Sequence, residues 1–220
     1  MGPSHKVYLD FVAQTACSGW ETPLGMIPID VEAVEKLEAA STEFKFNRIQ
    51  TKFEENEHSL EMHCPYIRKI FKGKEIKMVP LMVGDIPKDK WAGYAKLLLP
   101  LFLDERTLFI VSTDFCHWGE RFDFQHRYPE EQIIWKSIEK LDRCGMDKIE
   151  AQSFSEFEKY LSDTKNTICG RRPIALLLSI IEEAQAQGGK FETKFVKYDQ
   201  SSQVTDADDS SVSYASSYTI

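Results

Sequence analysis

Two short apolar runs near the middle of the chain give the clearest secondary-structure signal. Residues 77–84 and 108–113 are almost continuously hydrophobic, and each run is closed by glycine or aspartate. Runs of this length without polar alternation are typical of strands that are covered on both faces of a sheet. The intervening residues 88–102 have the pattern of a helix. A strand, a helix and a second buried strand make a βαβ unit, which predicts a parallel sheet.

The rest of the chain continues this alternation of helices and strands. Helical patterns predict further helices at residues 31–40, 59–71, 130–143, 153–162 and 173–186. Residues 191–198 and 212–220 alternate between apolar and polar positions as half-exposed strands do, and the acidic loop 206–209 separates them. We therefore expect an α/β fold with a central, largely parallel or mixed β-sheet flanked by helices, in a single domain that covers residues 1–220.

Composition narrows the classes of function. A chain of 220 residues with 42% hydrophobic content can bury one sizeable core. Its 27 basic and 35 acidic residues give a net charge of -8 without a basic run, so nucleic acid is not expected as a partner. The longest apolar region, residues 97–111, is broken by Pro100 and by Asp104, Glu105 and Arg106. Because those charges are costly inside a bilayer, no membrane insertion is expected.

Five cysteines occur at irregular spacings without a CxxC pair, which favours reduced thiols in an intracellular compartment. Cys169 differs from the others because Arg171, Arg172 and Pro173 follow it closely, with the proline at the predicted first helical position. A helix N-terminus and guanidinium groups both favour the thiolate, the form that binds metals. The alternative is that Cys169 is a small residue buried at the start of a helix.

The segment STDFCHWG at residues 112–119 carries the strongest local chemistry. It follows a predicted strand, and ligands collect beyond the carboxyl ends of strands in open α/β sheets. Asp114 and His117 can meet if the turn begins a helical coil, and the carboxylate would then fix the tautomer of the imidazole. Such a histidine serves as a metal ligand or a general base. The alternative is that Asp114 caps the turn and His117 packs with Trp118.

Residues 57–63 open a predicted helix with two acids and two imidazoles. His58 and Glu61 are spaced to share one helix face, whereas His63 is five residues past His58 and points elsewhere. The spacing differs from the HExxH zinc signature, in which the histidines are four residues apart. Glu57, His58 and Glu61 therefore form either a polar wall beside a site or a solvated first helical turn.

Three separate segments place a metal-binding side chain at a turn: His5 in GPSH, His117 in STDFCHWG and Cys169 in NTICGR. Two imidazoles and a thiolate can hold iron, copper or zinc while leaving positions open for water or substrate. One such segment would be weak evidence for a metal site, and the prediction rests on the combination of three.

These motifs together resemble the Memo family. The other matching segments are EHSLEMHCPY at residues 57–66, LDRCGM at 141–146, and YDQSSQ and DSSVSYAS toward the end of the chain. The resemblance runs through nearly all 220 residues. Eukaryotic members of the family are named as mediators of ErbB receptor-driven cell motility, and the family's fold is similar to that of class III extradiol dioxygenases. The resemblance therefore implies an extradiol dioxygenase-like α/β fold.

The resemblance also implies site residues by position. It implies that His5, His117 and Cys169 are metal ligands, that Asp114 and His117 are catalytic residues, and that the cofactor is an iron or copper ion. The family pattern includes an upstream strand and an APHAG-like turn with a further histidine, which this sequence does not contain. We therefore expect a Memo-like domain that lacks its N-terminal strands and first histidine motif, with an incomplete metal site.

Three hypotheses of function follow from the resemblance. The first is an intracellular metal-binding redox protein and signalling adaptor in cell motility, with phosphorylated receptor tyrosine kinases or cytoskeletal proteins as partners and a cytoplasmic or nuclear location. The second is a non-haem iron dioxygenase that acts on a small aromatic. The third is a catalytically inactive peptide-binding module. Cys169 argues against ring cleavage, because the facial triad of non-haem iron oxygenases uses two histidines and a carboxylate.

Overall fold

The computed structural model describes residues 1–220, which divide into two compact units, Met1–Ser112 and Thr113–Ile220. Each unit combines helices with at least one sheet, so the predicted α/β class is confirmed.

The first unit contains five short strands and five helices. The strands are β1 (Gly2–Pro3), β2 (Val12–Gln14), β3 (Gly19–Trp20), β4 (Ile27–Pro28) and β5 (Leu81–Val83). The helices are α1 (Val31–Ala40), α2 (Thr51–Glu54), α3 (His58–Glu61), α4 (Cys64–Ile70) and α5 (Trp91–Phe102). Strand β5 lies at the centre of a mixed three-stranded sheet, parallel to β1 and antiparallel to β2, while β3 and β4 form a separate antiparallel pair.

The local sequence explains where α1 begins and which face it buries. The Asp30 side chain accepts a hydrogen bond from the Ala33 N–H at 3.2 Å and so caps the first turn. Val34 and Leu37, three residues apart on one face, are buried. The helix matches the predicted residues 31–40.

The central sheet of the first unit is covered by a small apolar cluster. Leu9, Ala13 and Met82 are buried there, and Phe11 and Leu60 pack against them. Because Met82 lies on β5 and Leu60 on α3, this cluster fixes α3 against the sheet.

The second unit is an antiparallel sheet with three longer helices. The strands are β6 (His117–Trp118), β7 (Thr193–Gln200) and β8 (Ser211–Thr219), in the order β6-β8-β7. The helices are α6 (Ile134–Glu150), α7 (Phe154–Thr164) and α8 (Arg171–Ala186). Helices α6 and α7 pack closely at Gly145, where a Cβ atom would come within 2.8 Å of the Tyr160 ring. A side chain at position 145 would therefore push the two helices apart.

The predicted strand at residues 108–113 is wrong. This segment is not a strand, and its backbone hydrogen bonds join Ser112 N–H to Met1 O and Ile110 O to the Met1 amino group. Residues 108–113 have the apolar character of a buried strand. Their backbone bonds to a neighbouring segment reach only Met1, however, and a single partner residue does not make a strand ladder. The predicted βαβ unit therefore has its first strand and its helix but not its second strand, and the observed parallel pair is β1 with β5.

The other predicted elements differ mainly in their ends. The helix predicted at residues 59–71 is divided into α3 and α4, and the one predicted at 130–143 begins later, at Ile134, and continues to Glu150. Residues 191–198 and 212–220 are strands, as predicted, within one residue or two of β7 and β8. None of the helices has both the length and the apolar character that a membrane crossing requires.

Candidate metal centre

Two loops of the second unit are held side by side by hydrogen bonds. The first loop, residues 113–117, leads into β6, and the second, residues 167–170, leads into α8. The Gly170 N–H donates to Thr113 Oγ1 at 3.0 Å, and the His117 N–H donates to Thr167 Oγ1 at 2.8 Å. The Thr167 hydroxyl in turn donates to the His117 carbonyl oxygen at 3.0 Å. These bonds bring together residues about which the sequence makes separate predictions.

The His117 ring has one nitrogen occupied and one available. Its Nδ1 atom lies 3.0 Å from the Phe115 carbonyl oxygen and 3.1 Å from the Thr167 carbonyl oxygen. Because carbonyl oxygens only accept hydrogen bonds, Nδ1 carries the hydrogen and Nε2 keeps its lone pair in the neutral ring. This is the tautomer in which Nε2 can bind a metal or accept a proton.

The predicted meeting of Asp114 and His117 occurs without a helical turn. The Asp114 Oδ2 atom lies 4.0 Å from His117 Nε2. The backbone between them is irregular and passes directly into β6, so the helical coil that would have brought them together does not form. The carboxylate therefore faces the available nitrogen, and backbone carbonyls rather than Asp114 fix the tautomer.

Cys169 lies in the second loop, half-buried, with its sulfur against the first loop. Its Sγ atom accepts a hydrogen bond from the Asp114 backbone N–H at 3.0 Å. Helix α8 begins two residues later, at Arg171, so Pro173 occupies its third position rather than the predicted first. The thiol can also donate to the Asp114 carbonyl oxygen at 3.8 Å. The sulfur thus lies against the first loop, close to the N-terminus of α8.

A buried carboxylate supports the His117 loop, and sequence reasoning missed it. Asp142 on α6 is fully buried and accepts hydrogen bonds from the Cys116 N–H at 3.1 Å and the Asn166 side-chain amide at 2.9 Å. The hydroxyls of Tyr198, at 2.9 Å, and Ser213 also donate to it. Burial raises the pKa of Asp142, while these donors lower it. The one signal for Asp142 in the sequence is that it stands among apolar residues on the buried face of α6.

A second group of metal-binding side chains lies in the first unit. The buried Glu57 accepts hydrogen bonds from the His5 backbone N–H at 2.6 Å, from His5 Nδ1 at 2.8 Å and from the Ser59 N–H at 3.0 Å. The rings of His5 and His58 are stacked with centroids 4.5 Å apart. Burial alone would raise the pKa of Glu57, but the hydrogen bonds from His5 and Ser59 outweigh it and lower the pKa to about 2.

This group can act on a metal in two ways. One ligand atom from each of His5, Glu57 and His58 lies within 4.8 Å of the others, which is close enough to share an ion. Alternatively, Glu57 keeps its hydrogen bond to His5 Nδ1, as carboxylates beside metal-bound histidines do, and Nε2 of His5 is the ligand atom. The close contact between Glu57 and His5 Nδ1 favours the second arrangement. Glu57 is buried, whereas His58 and Glu61 are both exposed. Glu57 and His58 contact His5, and Glu61 is not part of this group.

The remaining thiol in the STDFCHWG segment has no metal-binding geometry. Cys116 is fully buried, and burial raises the pKa of its thiol. Cys116 is next to His117 in the sequence, but its side chain packs beneath the loop as a small apolar residue does.

In the second unit Asp114 contacts both His117, through its carboxylate, and Cys169, through its backbone N–H. The ligand atoms of these three residues do not all lie within 4.8 Å of one another, whereas those of His5, Glu57 and His58 in the first unit do.

Comparison with known proteins identifies the family. The sequence model described as "Memo-like protein" matches residues 1–218. The chain belongs to the Memo-like family. A Memo-like relative in Caenorhabditis elegans, "Protein memo-1 homolog", is 40% identical over 218 residues, which cover 98% of this chain and 61% of the relative. "Protein MEMO1" of Homo sapiens is 39% identical over 217 residues, covering 98% of this chain and 72% of the human protein.

The match covers this chain more fully than it covers the relatives. "Protein MEMO1" of Danio rerio is 40% identical over 217 residues, again across 98% of this chain and 72% of its own length. The chain thus spans about three fifths of the worm relative's length and under three quarters of the vertebrate ones. The match to the Memo-like family therefore extends over nearly the whole of this chain.

Proposed function

We propose that this Memo-like chain binds a redox-active iron or copper ion through His117 Nε2 and Cys169 Sγ. The observation that carries the proposal is the position of the His117 ring, whose Nδ1 faces two carbonyl oxygens and whose Nε2 is therefore the atom with the lone pair. His5 is proposed as a further metal ligand, from the family resemblance. Its Nδ1 is hydrogen-bonded to Glu57, the kind of carboxylate contact that orients histidines at metal sites.

The chemistry of the donor atoms fits the proposed ions. Imidazole suits copper and iron, and a thiolate selects the softer members of the transition series, copper(I) above all. The bound ion would supply one-electron redox chemistry. Asp114, 4.0 Å from His117 Nε2, is the group placed to exchange a proton with that nitrogen when it is not bound to metal.

Ring cleavage of an aromatic substrate is not favoured by this donor set. Cys169 lies where its sulfur is fixed against the Asp114 backbone, and a thiolate ligand differs in softness from the carboxylate that oxygenases of this kind use. The signalling role, with receptor or cytoskeletal partners, rests on the family resemblance and is proposed on that basis alone.

Metal analysis of loaded protein tests the proposal. The purified chain is incubated anaerobically with iron(II) or copper(I), passed through a desalting column and analysed for metal and protein. We expect about one tightly held ion per chain, and loss of most of it in His117→Ala. His126→Ala is the matched control, because the Nε2 atom of His126 is enclosed in the second unit and cannot reach an added ion. Equal retention of metal by His117→Ala and the control would contradict the proposal.

A further inference from the structure

The first unit contains an open cavity that the proposed metal chemistry does not use. Its volume is about 360 Å³, and residues 17–23, 51–55 and 61–65 contribute to its walls. Strand β3, helix α2 and the start of α4 therefore enclose it. His5, Glu57 and His58 are not among the lining residues. The cavity is large enough for a small organic ligand or a single long side chain.

The walls of this cavity are acidic and carry no positive charge. Four glutamates line it, namely Glu21, Glu54, Glu55 and Glu61, and no lysine, arginine or histidine does. None of these four carboxylates forms an ion pair within the protein. Because a concave wall with one sign of charge concentrates the field, the cavity attracts cations.

Glu54 is the one buried carboxylate among the four that line the cavity. Only 9% of this residue is exposed. Its Oε2 atom accepts hydrogen bonds from the Thr15 hydroxyl at 2.9 Å and the Cys17 thiol at 3.6 Å, both neutral donors. Its other oxygen, Oε1, accepts no hydrogen bond, and the atom is not sealed within the protein. A buried carboxylate without a cation is costly, so a cationic donor from outside would stabilise it.

An aromatic wall completes the arrangement. Trp20 is half-buried and lines the cavity, and its indole N–H donates to Thr15 Oγ1 at 3.3 Å. The same hydroxyl donates to Glu54, so Thr15 links the indole and the carboxylate. Tryptophan is the side chain that binds organic cations best through its ring.

The arrangement suits an organic cation better than a metal ion. A metal requires several ligand atoms around one point, and the group of three such atoms within 4.8 Å in this chain is His5, Glu57 and His58. The cavity instead offers one carboxylate on the buried residue Glu54, an indole held by a hydrogen bond, and further carboxylates on the exposed residues Glu21, Glu55 and Glu61. An extended ligand with positive charge along its length fits this distribution of carboxylates.

We propose that the cavity binds a protonated amine or a guanidinium group, which donates to Glu54 Oε1 and lies against the Trp20 ring. The ligand is either a small free amine or the lysine or arginine side chain of another polypeptide. This inference stands on the cavity alone and does not depend on the proposed metal function.

Calorimetric titration of the whole chain tests the inference with three probes. Agmatine carries both an amine and a guanidinium group. A capped Gly-Arg-Gly peptide presents the guanidinium on a polypeptide, and its citrulline counterpart has the same shape without the charge. We expect agmatine or the arginine peptide to bind, and the citrulline peptide to bind at least about tenfold more weakly, because the charged donor is missing. Tighter binding of agmatine identifies a small-molecule site, and tighter binding of the peptide identifies a protein-binding site.

Variants locate the binding in the cavity. Glu54→Gln and Trp20→Phe should each weaken the charged probe, the first by about tenfold or more, whereas the exposed Glu43→Gln, which lies outside the lining, should not. Glu61→Gln, at the exposed rim of the cavity, should give a smaller loss in the same direction. Equal binding of the arginine and citrulline peptides, or wild-type affinity in both Glu54→Gln and Trp20→Phe, would overturn the inference. The inference would also be overturned if none of the three probes bound.

Discussion

The sulfur of Cys169 accepts a hydrogen bond from the backbone N–H of Asp114 at 3.0 Å, across 55 residues of sequence. This bond and the one from Gly170 N–H to Thr113 Oγ1 hold the loop before α8 against the loop before β6. The thiol and the His117 imidazole consequently lie on two loops that hydrogen bonds hold side by side. Preorganisation of this kind lowers the conformational entropy that ligand side chains lose when an ion binds.

Thr167 should act as a positioning residue for His117. Its hydroxyl accepts from the His117 N–H and donates to the His117 carbonyl, so Thr167→Val removes both bonds while keeping the side-chain shape. We expect metal affinity to fall by about tenfold, the usual effect of losing a residue that orients a ligand. Competition with a chelator measures the change. Thr167→Ser, which restores the hydroxyl, should recover the affinity, and an unaltered affinity in the valine variant would show that Thr167 is not needed.

Asp142 should be essential for the stability of the second unit. Asp142→Asn replaces one accepting oxygen by a donor that faces the donors of Cys116, Asn166, Tyr198 and Ser213. The loss should lower the free energy of unfolding by about 2–4 kcal/mol. Urea unfolding measures it, with Asp147→Asn on the exposed face of the same helix as the control. Similar values for both variants would mean that the buried network contributes little.

Ring-cleaving activity should be absent. Iron-loaded protein incubated with catechols under oxygen should give no ring-opened product even at high protein concentration, because the proposed ligand Cys169 is a thiolate, whereas the facial triad of non-haem iron oxygenases contains a carboxylate. Product formation is followed by absorbance and mass spectrometry. Turnover that His117→Ala abolishes would instead establish a dioxygenase and contradict the proposed redox and adaptor role.

Glu54 should lower stability at neutral pH. Burial raises the pKa of Glu54 above its ordinary value of 4.5, and the bonds from Thr15 and Cys17 only partly oppose this. Because the folded state binds this proton more tightly than the unfolded state, the destabilisation is present above the folded pKa and disappears as the pH falls toward 4.5. Glu54→Gln should therefore be more stable than wild type at pH 7.

Urea unfolding at pH 7 and at pH 4.5 checks this pH dependence. The stability difference between Glu54→Gln and wild type should shrink at the lower pH, where protonated Glu54 resembles glutamine. Glu55→Gln, an exposed neighbour, is the control. A Glu54→Gln variant that is less stable than wild type at both pH values would contradict the prediction.

Local patterns predicted most helices, and long-range pairing limited the rest. The bounds of α1 follow from the Asp30 cap and the spacing of Val34 and Leu37, which are all local. Residues 108–113 have the composition of a buried strand, but a strand also needs neighbours of sufficient length, and sequence does not specify them. Strand pairing depends on tertiary contacts that a local pattern does not contain.

The residues of the candidate site also divide into those that local sequence predicts and those that depend on long-range contacts. His117 and Cys169 could be chosen from residue type and local context, and their role as ligands stays a prediction. Thr167 and Asp142 could not, because their importance comes from hydrogen bonds to residues 50 and 26 positions away. The contact of Glu57 with His5 spans 52 positions and was likewise beyond local reasoning. Positioning residues of this kind are defined by the fold rather than by a motif.

Cobalt(II) spectroscopy tests the central claim most directly, namely that Cys169 and His117 bind the same ion. Cobalt bound to a thiolate gives an intense near-ultraviolet charge-transfer band, which cobalt bound only by nitrogen and oxygen lacks. We predict that the band saturates at about one equivalent in wild type and in Cys144→Ser, disappears in Cys169→Ser, and requires far more cobalt in His117→Ala. A band of wild-type intensity and affinity in Cys169→Ser, or no dependence on His117, would contradict the account.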